Sequence, residues 1–170
     1  MDKATIITET HTTKSGKRCT FEYRDADSFS DLEYKKCRQV YGVSFYGEKM
    51  VIAFNGRKKT WGLLGGKIDP GETFEQTLAR EVREESNMNV LSGLPIGYQK
   101  AVKPDDSFVY QLRYVCAVEP FGPFVSDPDG GIAEIKLIEP ADYSKYFDWG
   151  KIGERLVTRA LELKGKLVQE

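Results

Sequence analysis

The sequence predicts an α/β protein with a mixed β-sheet held between helices. Three observations carry that expectation. β-rich runs lie on both sides of a helical segment at residues 73–87, that segment carries an apolar row, and the chain closes on an amphipathic stretch at residues 152–167. A sheet whose chain passes through one helix midway and another at the end can cover both of its faces.

Taken in order, residues 4–23 alternate polar with apolar or β-branched side chains on either side of Lys14-Ser15-Gly16-Lys17, the pattern of a hairpin. Residues 25–37 are polar and read as a connector with one helical turn. Residues 39–46 and 50–54 are apolar β-rich runs joined by Gly47-Glu48-Lys49, and Asn55-Gly56 is the strongest short hairpin signal in the chain. Residues 61–64 return as one strand into Gly65-Gly66. A helix is expected from Thr73, where Gln76 three residues on completes a capping box, and Phe74, Leu78 and Val82 form its apolar row at i, i+4 and i+8. Asn87 ends it. Residues 90–102 and 108–118 are long strands around a turn at 103–107, and residues 120–131 are a loop rich in Pro, Gly and Asp. A further strand covers 132–138, and Glu139-Pro140-Ala141-Asp142 breaks it. Ile152, Leu156, Ala160, Leu161 and Leu163 give the closing helix its apolar stripe. The expected division is a hairpin and connector at 1–37 and a main domain at 38–170.

Composition excludes several classes. The 170 residues include 25 basic and 26 acidic side chains for a net charge of −1, with 40% hydrophobic and 30% charged. That suits one domain with a substantial core. It supplies no broad positive field, so no stable nucleic-acid partner is expected. Cys19, Cys37 and Cys116 are odd in number and widely spaced, which argues against a zinc site or disulfide framework. The N-terminus lacks the basic start and apolar run of a signal peptide, and no stretch approaches the roughly 18 apolar residues of a membrane span. A soluble, cytoplasmic protein without membrane association is the expectation. His11, the single histidine, has no His, Cys or carboxylate at metal-ligand spacing around it and reads as an ordinary strand or loop residue.

The chemistry concentrates in residues 66–88, GKIDPGETFEQTLAREVREESNM. At about 3.6 residues per turn, Glu81, Glu84 and Glu85 stand at i, i+3 and i+4 and project from one side of the helix. Each such like-charge pair costs an isolated helix roughly 0.2–0.5 kcal/mol, so the row makes more sense with a cation among the carboxylates. A solvated acidic face is the plain alternative. Spacing to residues outside the helix decides against it. Gly66, Glu72, Arg80, Glu81, Val82, Glu84, Glu85 and Met88 satisfy G-x5-E-x7-R-E-(apolar)-x-E-E-x-x-(apolar). The six fixed positions would arise by chance in a chain of this length with a frequency on the order of 10⁻⁵ to 10⁻⁶. The pattern resembles the Nudix box. One position departs: Asn87 stands where glycine is usual, and asparagine is the other residue that tolerates a left-handed helix end.

The resemblance implies a Nudix-type α/β/α sandwich preceded by an N-terminal β-hairpin extension, and metal-dependent hydrolysis of a nucleoside diphosphate derivative. It implies Glu84 and Glu85 as metal ligands, Glu81 as a ligand or the base that prepares water, and a backbone carbonyl of Gly65 or Gly66 completing the site. Glu72 and Arg80 would pair, anchoring the loop to the helix. Oxygen donors without His or Cys suit Mg²⁺ or Mn²⁺. A further acidic residue after the box is expected from Asp127, Asp129 or Glu134; Glu134 is favoured, with a plain strand residue as the alternative. Arg57, at the hairpin tip that precedes the box, and Lys67, just after the glycine pair, are candidate phosphate contacts, beside the alternative of a solvated charge run.

Substrate pointers disagree. Trp61-Gly-Leu-Leu-Gly-Gly-Lys is similar to the W-x-x-P-G-G-K approach of MutT-like nucleoside triphosphate pyrophosphohydrolases, with Leu64 in place of proline. Pro104 stands 16 residues after Met88, a spacing that resembles ADP-ribose pyrophosphatases, although a proline in a turn is also ordinary turn chemistry. The N-terminal hairpin resembles the extra strands through which some ADP-ribose enzymes form homodimers. The reading favours a nucleoside triphosphate, with ADP-ribose or a nucleotide sugar behind it; a nucleotide-sensing module without catalysis is the rival of another class. RNA cap removal is disfavoured by the lack of an added basic domain. Tyr41, Phe45, Tyr46, Tyr110 and Tyr114 are open between base stacking and core packing.

Overall fold

The computed structural model describes residues 6–13, 15–125 and 131–167. Their strands are β1 (Ile6–Thr12), β2 (Arg18–Asp25), β3 (Cys37–Tyr46), β4 (Lys49–Asn55), β5 (Thr60–Gly62), β6 (Leu64–Lys67), β7 (Met88–Val102), β8 (Phe108–Pro120) and β9 (Ile132–Ile138). Helix α1 (Phe74–Ser86) follows β6, and α2 (Gly150–Lys164) follows β9. The strands join in one sheet of order β1-β2-β7-β8-β3-β4-β5, with β6 on β3 and β9 on β4. β3 and β8 run parallel while β7 and β8 run antiparallel, so the sheet is mixed. The hairpin of β1 and β2 lengthens this sheet, because β2 pairs with β7 from Thr20↔Val102 to Asp25↔Gly97.

Strand alternation divides the core into two layers. In β4, Met50 and Ile52 face a cluster that includes Ile152, Leu156 and Ala160 of α2. Their neighbours Val51 and Ala53 face the cluster containing Leu78 and Val82 of α1. The product is the α/β/α sandwich. Leu78 and Val82 are 2% and 0% exposed, and each contributes roughly 1.5–3 kcal/mol by leaving water. That fixes the face of α1 that remains for the carboxylates.

Local chemistry sets the ends of α1 as expected. The Thr73 hydroxyl accepts the Gln76 N–H at 3.1 Å while the Gln76 side-chain oxygen accepts the Thr73 N–H at 2.9 Å, closing the capping box. Asn87 stops the helix in the left-handed region with φ of 54°, and its side-chain amide donates to the Pro123 carbonyl at 2.9 Å. The start of α2 is capped from afar: Glu9 Oε1 on β1 accepts the Lys151 N–H at 2.8 Å and the Ile152 N–H at 3.3 Å. A second clip joins Arg155 of α2 to Asp25 of β2 at 2.7 Å.

Three local expectations are corrected. The strand expected at 61–64 is two strands: β5 pairs with β4 and β6 with β3, and Leu63 lies between them. The tight turn expected at Asn55-Gly56 is a longer one in which Lys59, not Gly56, takes positive φ (57°). The Asn55 side chain accepts the N–H groups of Arg57 and Lys58 there, each at 3.0 Å. On α2, Leu161 is 45% exposed and Val157 is buried in its place. Of the acidic candidates after the box, Asp127 and Asp129 lie outside the described residues, as does Lys14 of the expected hairpin turn.

Candidate active site

The sheet opens between β3 and β4. β3 and β4 pair only from Ser44↔Val51 to Tyr46↔Lys49, and then each takes a different neighbour, β6 for β3 and β5 with β9 for β4. Between the diverging strands lies a cleft of about 460 Å³. Its walls include Gln39 and Tyr41 of β3, Trp61 of β5, Gln111 and Arg113 of β8, and Trp149. Gly65 of β6 and Glu85 of α1 also line it, which brings the end of the glutamate row to the cleft.

Two glycines make that approach possible. Gly65 has φ of +153°, and a Cβ there would press on the Val40 carbonyl and lie 2.6 Å from the Tyr41 Cα. The Gly65 N–H donates to Glu85 Oε1 at 2.7 Å, tying the helix to the cleft wall. A Cβ on Gly66 would stand 2.5 Å from the Glu81 carboxyl carbon, so the missing side chain is the room Glu81 occupies.

Arg80 organises the remaining carboxylates. Its Nε donates to Glu72 Oε2 at 2.8 Å and its Nη2 to Glu72 Oε1 at 2.9 Å, a two-pronged pairing that fixes the loop before α1. Nη2 also donates to the Lys67 carbonyl at 2.9 Å. Nη1 donates to Glu81 Oε1 at 2.9 Å and to Glu84 Oε2 at 3.3 Å. Glu72 accepts further from the Asp69 N–H and the Thr77 hydroxyl, at 2.8 and 3.0 Å. The Arg80 guanidinium foremost, with these neighbours, holds the Glu72 carboxyl down at about 2. The same partners raise Arg80 above its ordinary range. Asp69 also lies 3.3 Å from Arg80 Nε, so four carboxylates, Asp69, Glu72, Glu81 and Glu84, share one cation, and Glu85 stands beside them.

The donor chemistry fits a hard divalent cation, since every side-chain donor in the row is a carboxylate oxygen and the cluster is short of positive charge. Among the described residues no three acidic, His or Cys side chains converge into a ready metal cluster. Arg80 draws Glu81 and Glu84, while the Gly65 amide holds Glu85.

The other sequence candidates fall differently. Lys67 is exposed at the end of β6 and reaches the row through its backbone carbonyl. Arg57 is not among the cleft-lining residues, whereas its neighbour Lys58 is. Pro104 is exposed in the turn between β7 and β8, outside that lining. Glu134 is exposed on β9 opposite Phe54 of β4 and does not line the cleft either. Of the five aromatics, Tyr41 alone borders the cleft; Tyr114 is buried and donates to Glu75 at 3.2 Å, and Phe45 is in the core. His11 is exposed, 3.5 Å from Glu9.

Sequence reasoning missed Arg113, Gln39, Gln111 and Trp149. Arg113 is 7% exposed, packs its guanidinium 5.1 Å from the Tyr41 ring centre, and donates weakly to the Leu112 carbonyl and to Gln111 Oε1, at 3.3 and 3.5 Å. Burial lowers its pKa to about 10. No local signal marks it, because a single arginine in an alternating strand usually points to solvent.

A glutamate row on a capped helix, anchored by an arginine and set against a glycine pair at the mouth of a cleft, is the arrangement that the Nudix-box resemblance implies. Residues 38–160 match the NUDIX domain, and the chain belongs to the Nudix family of hydrolases. It is 37% identical over 51 residues to a Bacillus subtilis (strain 168) protein provisionally named an 8-oxo-dGTP diphosphatase, a match covering 29% of this chain and 34% of that one. The chain thus spans about a third of that relative's length. The fold is similar to the pyrophosphohydrolase BsRppH of Bacillus subtilis, with TM-score 0.68 and 15% identity over 94% of this chain and 99% of that one. It is also similar to MutT from Aliivibrio salmonicida and Vibrio cholerae, with TM-score 0.56 and 20% identity over 74% and 96% of the two chains. Among the described residues no helix is long and apolar enough to cross a membrane.

Proposed function

We propose that this chain is a Mg²⁺- or Mn²⁺-dependent pyrophosphohydrolase that cleaves the diphosphate bond of a nucleoside diphosphate derivative, with a nucleoside triphosphate as the favoured substrate. The observation that carries the proposal is Glu85: it belongs to the glutamate row, is bonded to Gly65, and lines the cleft. Adding water to phosphorus places charge on oxygens that are already negative, so positioning and charge neutralisation dominate. A divalent cation on Glu84, Glu85 and Glu81 would neutralise phosphate oxygens and lower the pKa of a bound water. Glu72 and Arg80 position the row without touching substrate. Lys58, on the cleft wall, supplies positive charge for phosphate, with Arg57 and Lys67 kept as outer contacts. Glu134 would join only as an outer acidic group.

One observation favours the alternative of ADP-ribose or a nucleotide sugar. A second cavity of about 220 Å³, bordered by Phe21 and Leu156, shares Arg113 and Trp149 with the cleft. That space suits a substrate with a second ring system. In either case the substrate is a free small molecule handled in the cytoplasm, without a nucleic-acid partner; a homodimer through the N-terminal hairpin completes the proposal.

The test is replacement of ligands that pack little. Glu84→Gln and Glu85→Gln are expected to abolish Mg²⁺-dependent turnover while circular dichroism stays that of the wild type. Full activity in both variants would remove the glutamates from the chemistry, and lost secondary structure would make them structural.

A further inference from the structure

Arg113 has no carboxylate partner among the described residues, although its side chain is more than nine-tenths buried. A buried guanidinium is expensive unless it is paired, and the two oxygens that it meets lie at 3.3 and 3.5 Å, long for hydrogen bonds. It forms part of the wall of both cavities, so a ligand in the cleft is the partner available to it.

Its position limits what that ligand group can be. Gly65 of β6 is opposite Tyr41 of β3, and Tyr41 is opposite Arg113 of β8. Two strand spacings therefore separate Gly65, which holds Glu85, from Arg113, roughly 10 Å from backbone to backbone. Glu85 and Arg113 thus line separate parts of one cleft, and a substrate whose diphosphate sits on the glutamate row has its nucleoside left to meet Arg113. The walls around Arg113 suit a base: Tyr41, Trp61 and Trp149 offer aromatic faces. Gln99 donates to Gln111 Oε1 at 2.8 Å, and that same oxygen accepts from Arg113, so the amide and guanidinium are held relative to one another.

Resting on the pyrophosphohydrolase reading, we propose that Arg113 is a specificity-determining residue that selects a 6-oxopurine base, guanine or hypoxanthine, over adenine. Arginine carries only donors. The 6-oxopurine edge presents two adjacent acceptors, O6 and N7, which a guanidinium meets with two parallel bonds. Adenine presents N7 beside an amino donor, which faces arginine with a donor and leaves the buried charge unpaired. Glutamine has the complementary pairing with adenine, so Arg113→Gln should redirect the preference.

The chain has two tryptophans, Trp61 and Trp149, and both line the cleft, so intrinsic fluorescence reports its occupancy. Titration of the intact protein with GMP, IMP and AMP in excess EDTA removes both the scissile bond and metal-dependent turnover from the readout. Wild type is expected to bind GMP and IMP roughly 5- to 150-fold more tightly than AMP. Arg113→Gln should abolish or reverse that ratio, and Arg113→Lys, which keeps the charge but not the planar fork, should reduce it. Arg113→Gln is expected to melt no lower than wild type, because it removes a buried charge that has no carboxylate partner among the described residues. An unchanged ratio in both variants overturns the proposal. Equal weakening of all three nucleotides also overturns it, placing Arg113 on phosphate. Absence of any preference in wild type does the same, while Glu85-dependent hydrolysis would leave the proposed function standing.

Discussion

Gly66→Ala separates the site's geometry from the fold's stability. The backbone at Gly66 is not in the positive-φ region, so alanine is tolerated locally. Its Cβ would lie 2.5 Å from the Glu81 carboxyl carbon, against an ordinary contact of at least 3.4 Å, so the carboxylate must retreat by about 0.9 Å. The obstacle is the end of a flexible side chain, so the retreat costs little stability, about 1 kcal/mol or less. A misplacement of about 1 Å at a catalytic group costs on the order of 100-fold in rate. The expected variant therefore melts within a few degrees of wild type, with kcat down about 100-fold and KM nearly unchanged. Steady-state kinetics with Mg²⁺ beside a thermal melt measures both. Turnover within threefold of wild type would refute the role given to Glu81, and a collapse of the melt would show that Gly66 serves the fold. Gly65→Ala is the contrast: the added Cβ meets β3 backbone, which cannot step aside, so this variant should lose stability first.

Further expectations concern the supports of the site. Glu72→Gln should cost about 1.5–3 kcal/mol, the range for hydrogen bonds to a charged group. Because Arg80 depresses the Glu72 carboxyl to about 2, against roughly 4.3 in an unfolded chain, this contribution is complete above about pH 5 and fades as pH falls toward 2. Urea unfolding of wild type and Glu72→Gln from pH 7 to 3 should show the two curves converging with acid; a constant gap would contradict the pairing. Glu9→Ala removes the remote cap on α2 and should lower stability by roughly 0.5–2 kcal/mol in chemical denaturation, with kcat unchanged. Asn87→Ala loses the tolerated left-handed end and the bond to Pro123, and a stability loss of about 1 kcal/mol without loss of turnover is expected.

What was legible in the sequence was whatever local chemistry decides. Thr73 with Gln76 and Asn87 fixed the helix ends because capping depends on residues within one turn. Leu78, Val82 and the glutamates could be placed on their faces because helical period alone sets them. The break at Leu63 was hidden, since only the choice of different partners by β5 and β6 divides that run. The cleft was hidden for the same reason: it exists because β3 pairs with β4 only from Ser44 onward and with β6 before it, and no residue near Ser44 announces the change. Arg113 and Trp149 reach the cleft from strands and loops far along the chain, so their roles appear only when the sheet is assembled. Leu161 misled because a stripe counted from Ile152 did not anticipate which side of α2 the sheet would cover; Val157 took that place.

The most direct test of the central claim is product analysis with Mg²⁺ across nucleoside triphosphates, ADP-ribose, nucleotide sugars and dinucleoside polyphosphates, run beside Glu85→Gln. Cleavage of a diphosphate bond is expected in at least one class, lost in the variant, with a nucleoside triphosphate preferred. No cleavage in any class by folded protein supplied with metal would contradict it, and would turn the site into a nucleotide-binding module.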